Sequence, residues 1–140
     1  MFRKFFNLKS SSVFKKRESV MDKREEAFFF ELRKQLPEGY FVFPKMRIAD
    51  IIETTNGKGY YIHRNEILPK HIDFLICNAS FHPILAIELN GSSHGREDRK
   101  ESDYEKKEIF KSAGLPLEFI EVGTDFPSDV KNLIAKYISP

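Results

Sequence analysis

Two short apolar runs, His71-Ile-Asp-Phe-Leu-Ile-Cys77 and Ile84-Leu-Ala-Ile-Glu-Leu-Asn90, each carry a single acid and are joined by a turn-like Asn78-Ala-Ser-Phe-His-Pro83. Runs of this length, apolar on both faces, read as strands covered from both sides. An antiparallel hairpin with a four-residue loop, Ala79 to His82, sets Asn78 against Pro83 and brings Asp73 directly opposite Glu88. Opposed side chains in such a pair have Cβ atoms roughly 4.5–5.5 Å apart, and like charges there repel. A carboxylate in a partly desolvated place is costly unless something neutralises it. A divalent cation is the simplest neutraliser, since Mg²⁺ takes oxygen ligands and commonly one or two carboxylates. A metal-dependent site at Asp73 and Glu88 is the leading expectation. Three alternatives compete with it. One carboxyl can be protonated, its pKa raised by its neighbour and by burial. Asp73 can form a structural ion pair with His71, Arg99 or Lys107. A slip of one residue would put the two acids on opposite faces.

The chain of 140 residues suits one domain with one core. The lone cysteine, Cys77, sits in the middle of an apolar run and reads as a small buried hydrophobe. One cysteine forms no internal disulfide, which fits a reducing cytoplasmic setting. No stretch reaches the roughly 18–20 apolar residues that span a bilayer, and the first residues lack the uninterrupted apolar run of a secretory signal. The net charge of +2 conceals an asymmetry: residues 1–17 hold six basic residues and no acid, whereas the rest holds 17 basic and 21 acidic residues. Residues 1–17 therefore read as a basic, flexible segment preceding a domain over 18–140. Its interleaved Phe2, Phe5, Phe6, Leu8 and Phe14 suit a polyanion or, as a less favoured reading, an anionic membrane surface.

Asp22 opens a helical pattern in which Phe28, Phe29, Leu32 and Leu36 recur at helical spacing and Pro37-Glu-Gly39 ends it. Asp22 with Glu25 fits a capping box, although Glu25 also lies on the apolar stripe and points partly at the core. Tyr40–Ile48 reads as a strand that Pro44 places at an edge or a bulge. Ala49–Ile52 either continues it or makes a helical turn. Asn56-Gly-Lys-Gly59 marks a turn within a hairpin or insertion over 53–70. After the central hairpin, Gly91-Ser-Ser-His-Gly95 is a polar turn, and a helix follows from about Asp98 to Ala113. Gly114 suits its C′ position. Residues 116–122 make a final strand, and 127–138 a short amphipathic helix. The expected fold class is α/β, with a central mixed four-stranded sheet flanked by helices in the order αβββαβ and a closing helix.

Polar residues gather beyond Glu88: Asn90, Ser92, Ser93, His94 and Arg96, then Asp98, Arg99, Asp103, Lys106 and Lys107 on the helix. Residues 103, 106, 107 and 110 share one helical face, so Asp103 and one of the two lysines lean toward the sheet with Phe110. Phosphodiester hydrolysis needs a metal on the phosphoryl oxygen, and it benefits from a cation near the developing charge and a group that handles protons. Asp73 and Glu88 are placed to hold the metal, Lys106, Lys107 or Arg99 to supply the cation, and His94 to relay a proton. The plainer readings are a turn histidine and a solvated basic face with pairs such as Asp103 with Lys107.

A helix with Glu25, then Asp73 on one strand, Glu88 on the next and a basic helix resembles the PD-(D/E)XK nuclease core. The string Ile87-Glu-Leu-Asn-Gly-Ser-Ser-His94, with Asp103, Lys106 and Ala113-Gly-Leu-Pro116, more closely resembles a bacterial family of that superfamily, domain-of-unknown-function family 2726. It is similar, more distantly, to very-short-patch repair endonucleases. The resemblance runs from about Ser19 through Val122. It implies a restriction-endonuclease-like fold and Mg²⁺- or Mn²⁺-dependent hydrolysis of DNA. Asp73 and Glu88 would be metal ligands, and Glu25 the first-helix glutamate that assists the metal or its water. Asn90 stands where the motif carries lysine, and Lys106 or Lys107 is the candidate substitute. That departure leaves a rival reading, a nucleic-acid-binding module without catalysis on the same scaffold.

Overall fold

The computed structural model describes residues 13–55, 69–90, 97–121, 123 and 125–138, with the backbone alone for 97–99. Most of the basic segment 1–17, and the expected hairpin or insertion around Asn56–Gly59, lie outside the described residues.

Helix α1 spans Lys23–Gln35 and starts at an N-cap Asp22 in extended backbone. The expected capping box is present. The Asp22 carboxylate accepts from the Glu25 N–H at 2.9 Å, and the Glu25 carboxylate accepts from the Asp22 N–H at 2.9 Å. That backbone donor is the main reason the Asp22 carboxyl titrates below its ordinary value. Strand β1 is Phe41–Arg47, followed by a single 3₁₀ turn, Ile48–Asp50, so the segment after β1 makes a helical turn. Strands β2, His71–Cys77, and β3, Pro83–Asn90, form the central hairpin. Helix α2 covers Glu97–Ala113, strand β4 Leu117–Glu121 and helix α3 Phe126–Tyr137. Gly114 at φ +74° supplies the left-handed residue that ends α2.

The sheet order is β1-β2-β3-β4; β1/β2 and β2/β3 are antiparallel and β3/β4 is parallel. The mixed four-stranded sheet expected from the sequence is therefore present, and α2 is the crossover that lets β4 run parallel to β3. Each face of the sheet is covered. Phe28 and Leu32 of α1 and Val130 and Leu133 of α3 pack with Phe74, Ile76, Leu85, Ile87 and Leu89 on one side. Phe110 of α2 packs with Ile48, Leu75, Cys77 and Ala86 on the other. Cover from both sides is what the continuous apolar runs required. Cys77 is 3% exposed, and burial pushes its thiol up, as suits a packing residue. Among the described residues no helix is long and apolar enough to cross a membrane.

The turn of the central hairpin differs from expectation. Cys77, not Asn78, faces Pro83, because the register shifts after Ile76↔Leu85 and Ile84 becomes the extra residue on β3. Asn78 closes the five-residue loop itself: its N–H donates to the His82 carbonyl, and its Oδ1 accepts from the N–H groups of Ser80 and His82. An asparagine side chain that mimics a backbone acceptor in this way moves the turn one residue toward β2. The bulge absorbs the shift, so the register beyond it is unaffected.

A second irregularity lies in β1, the edge strand where Pro44 suggested an edge or bulge. Lys45, immediately after it, has φ +52°, the left-handed region that non-glycine residues seldom occupy. Such a conformation costs on the order of 1–3 kcal/mol.

Phe28 is fully buried, with ring centroids 5.4 Å from Phe74 and 5.0 Å from Phe126. It joins α1, the sheet and α3 at one point. Phe28→Ala is expected to lower unfolding free energy by about 3–5 kcal/mol in urea titration. A loss below about 1 kcal/mol would show that this contact does not hold the helical layer to the sheet.

Candidate metal and phosphate site

Because Phe74 faces Ile87, the next row of the hairpin sets Asp73 opposite Glu88. Both acids face α2: Asp73 is in step with Leu75 and Cys77, and Glu88 with Ala86, all in the cluster that holds Phe110. At this row the backbone ladder gives way to side chains. The Asp73 N–H donates to Glu88 Oε1 at 2.8 Å, and the Leu89 N–H donates to Asp73 Oδ2 at 2.8 Å. Each carboxylate thus caps backbone on the opposite strand, which fixes its direction from both ends.

Lys106 reaches down from α2 and donates to Glu88 Oε2 at 2.9 Å, and each side chain is 12% exposed. Phe110, one turn further along the helix, anchors that face against the sheet at 1% exposure. Helical spacing left Lys106 and Lys107 as rivals, and the fold separates them. The Lys107 ammonium lies over the Phe119 ring, 5.0 Å from its centroid, and meets no acid among the described residues. Phe119 is the β4 residue opposite Glu88, so Lys107 borders the site without entering it.

Asn90 is not directed at the two acids. Its Nδ2 donates to Glu121 Oε1 at 3.2 Å across the β3/β4 pair. His94 lies outside the described residues, as do Ser92, Ser93, Arg96 and the side chains of Asp98 and Arg99. Glu25 performs its capping role and also receives the Lys45 ammonium at 3.1 Å through Oε1. Among the described residues no third His, Cys, Asp or Glu joins Asp73 and Glu88 in a ligand cluster. Glu25 therefore acts on the pair through its charge, which is felt at Asp73.

Lys45 is the residue that the sequence reading missed. Pro44↔Phe74 and Met46↔Ile72 straddle it, which places it across from Asp73 on the side away from Glu88. One row of the sheet thus reads Lys45, Asp73, Glu88, Phe119 from β1 to β4, with Lys106 above it. The irregularity hinted at by Pro44 was the only signal. The facing residue follows only from the β1/β2 register, which the sequence did not supply.

The electrostatics follow from this crowding. Burial, then the Asp73 charge, pushes the Glu88 carboxyl up to about 7, with Lys106 opposing. Burial also raises Asp73, while the Leu89 N–H opposes it and the Glu25 charge adds to it. The rival in which one carboxyl is protonated thus has physical force near neutrality. Of the rival partners of Asp73, neither His71 nor Lys107 forms an ion pair with it, and the Arg99 side chain lies outside the described residues; Lys106 meets Glu88. A register slip is excluded by the observed pairing.

The donor set fits a hard divalent cation. Both candidate ligands are carboxylates, and among the described residues no hydrogen bond reaches Asp73 Oδ1. Mg²⁺ is commonly held by one or two carboxylates and keeps several waters. A cation between the two acids would offset the burial that raises both and the Asp73 charge that adds to it at Glu88.

An acid raised in the folded state stabilises the fold below its unfolded pKa and loses that contribution as pH climbs through the folded one. For Glu88 the window runs from the ordinary 4.5 to about 7. Without divalent cations, Glu88→Gln is expected to gain on the wild type across that window, by at most about 1.4 kcal/mol per pH unit, and to hold a constant lead above it. Urea unfolding at pH 4.5, 5.5, 6.5 and 7.5 reads this directly. A gap independent of pH would show that Glu88 is not strained by burial and by Asp73.

The profile of the family described as "Protein of unknown function (DUF2726)" matches residues 17–137. An uncharacterized protein of Haemophilus influenzae (strain Rd) is 27% identical over 103 residues, covering 71% of this chain. The chain spans about half the length of that relative, 52%. No solved structure gives a significant match. The family match takes in the capped helix, all four strands, the crossover helix and the two facing acids, so the chain belongs to the DUF2726 family.

Proposed function

We propose that this chain is a metal-dependent nuclease with a restriction-endonuclease-like core of the PD-(D/E)XK type, acting on phosphodiester bonds in DNA in the cytoplasm. The observation that carries this reading is the facing of Asp73 and Glu88, each held by backbone of the other's strand, with Lys106 against Glu88. A structural ion pair needs one acid and one base; here Glu88 has its base in Lys106, and Asp73 has no ion-pair partner among the described residues. The element order, with Glu25 on the first helix and the acids on adjacent strands, also matches the arrangement that the sequence resemblance implies.

A bound Mg²⁺ or Mn²⁺ would polarise a phosphoryl oxygen and lower the pKa of a bound water. The protein's own part is to hold and orient. Asp73 and Glu88 offer oxygen ligands whose directions are set before any ligand arrives. Lys106 favours the ionised form of Glu88 and puts positive charge where a phosphate would gain negative charge. It occupies the functional position that Asn90 leaves empty. In the hydrolysis, water oxygen bonds to phosphorus and a phosphorus–oxygen ester bond breaks, giving a phosphate monoester and a hydroxyl.

Asn90 also sustains a second reading, a nucleic-acid-binding module without catalysis, since its amide is engaged with Glu121 and carries no charge. Cleavage of plasmid and single-stranded DNA in Mg²⁺ or Mn²⁺ separates the two. Asp73→Asn and Glu88→Gln are expected to lose at least about a hundredfold in rate (roughly 2.7 kcal/mol of barrier), and Lys106→Met about tenfold or more. Cutting by Asp73→Asn at the wild-type rate would remove the assignment. Salt-sensitive DNA binding with no cutting by the wild type would favour the second reading.

A further inference from the structure

Lys45 sits in the left-handed region, at φ +52°, within an edge strand. Glycine and asparagine occupy the left-handed region readily, and a lysine there is held against its own backbone preference. The ion pair with Glu25 does not account for it. Although the Glu25 side chain is 12% exposed, the lysine side chain is 42% exposed, and a pair whose ammonium end stands open to water returns little against the backbone strain. Nor does α1 depend on that pair, because Glu25 caps the helix through its other oxygen, Oε2. The turned backbone instead carries an ammonium to the Asp73 flank of the acid pair, opposite Lys106, and its charge is felt at Asp73. Glu25 serves as a resting partner that holds the ammonium beside the site while leaving it open to solvent.

Building on the nuclease reading, we propose that Lys45 is a substrate-binding residue of this site, donating to a non-bridging oxygen of a DNA phosphate next to the Asp73–Glu88 pair. An acid pair alone repels a polyanion; an ammonium on each side of it gives the phosphate backbone two points of attachment that straddle the metal ligands. The contact is charge-assisted and carries no sequence information. Its strained backbone is then the mark of a residue kept for binding at the expense of stability.

The test compares wild type, Lys45→Asn and Lys45→Arg in the full chain. Binding of a fluorescein-labelled DNA duplex is followed by anisotropy in Ca²⁺, an oxygen-seeking cation, across a salt series, beside thermal melts. Lys45→Asn is expected to bind about tenfold more weakly. Its plot of log affinity against log salt should be shallower by about 0.9, one phosphate contact fewer. It should melt no lower than the wild type, since asparagine accepts the backbone. Lys45→Arg should restore both affinity and slope. Unchanged affinity and slope in Lys45→Asn would overturn the proposal. So would a melting point several degrees lower, which would make the ion pair structural. Failure of the nuclease reading looks different: a wild type that binds DNA through Lys45 and never cuts it leaves Lys45 in place. A wild type that cuts, with Lys45→Asn unaffected in binding, removes Lys45 and leaves the nuclease. No DNA binding by the wild type would overturn both.

Discussion

Everything distinctive in this molecule depends on two carboxylates facing each other across β2 and β3. Like charges a few ångströms apart repel by a few kcal/mol at the effective dielectric of a protein site, and burial adds to that. The fold holds them there nonetheless. Two backbone N–H groups, from Asp73 and Leu89, each bond the opposite strand's acid, and Lys106 bonds Glu88. Charge-assisted hydrogen bonds contribute roughly 1.5–3 kcal/mol each, enough to hold the geometry, while burial still raises both acids and the Asp73 charge adds to it at Glu88.

The rest of the architecture serves that arrangement. A hairpin buried on both faces has little freedom to slip, since a one-residue shift would turn Phe74 and Ile87 away from α1 and α3. The register bulge is confined to the turn, where Asn78 supplies its own acceptors, so the irregularity never reaches Asp73 and Glu88. On the other face, Phe110 pins α2, and a salt bridge from Lys70 to Glu105 at 2.8 Å ties the same helix to the start of β2. Lys106, one residue along, is thereby presented to Glu88. The strain at Lys45 belongs to the same design, an irregular residue on an edge strand where the sheet can tolerate it.

The central strands, the capped first helix, the crossover helix and the facing acids were legible in the sequence because each is written in local pattern: apolar runs, a capping box, 3.6-residue spacing. The choice between Lys106 and Lys107 was not, because both lie within one turn of the face and only the placement of Phe119 decides which one stacks and which one descends. The turn was misplaced by one residue because the Asn78 side chain outcompeted the symmetrical loop. Asn90 was read from resemblance, and its bond to Glu121 depends on the β3/β4 register, a non-local fact. Lys45 was missed for the same reason: nothing near it in the sequence says which residue it faces across the sheet.

Under the proposed function, the Asp73–Glu88 pair receives a divalent cation. Isothermal titration of Mn²⁺ into the metal-free chain at neutral pH measures this most directly. Saturable binding is expected, with release of the Glu88 proton to the buffer as the ion takes its place, and loss of that binding in Asp73→Asn. No saturable binding, or equal binding by Asp73→Asn, would contradict it.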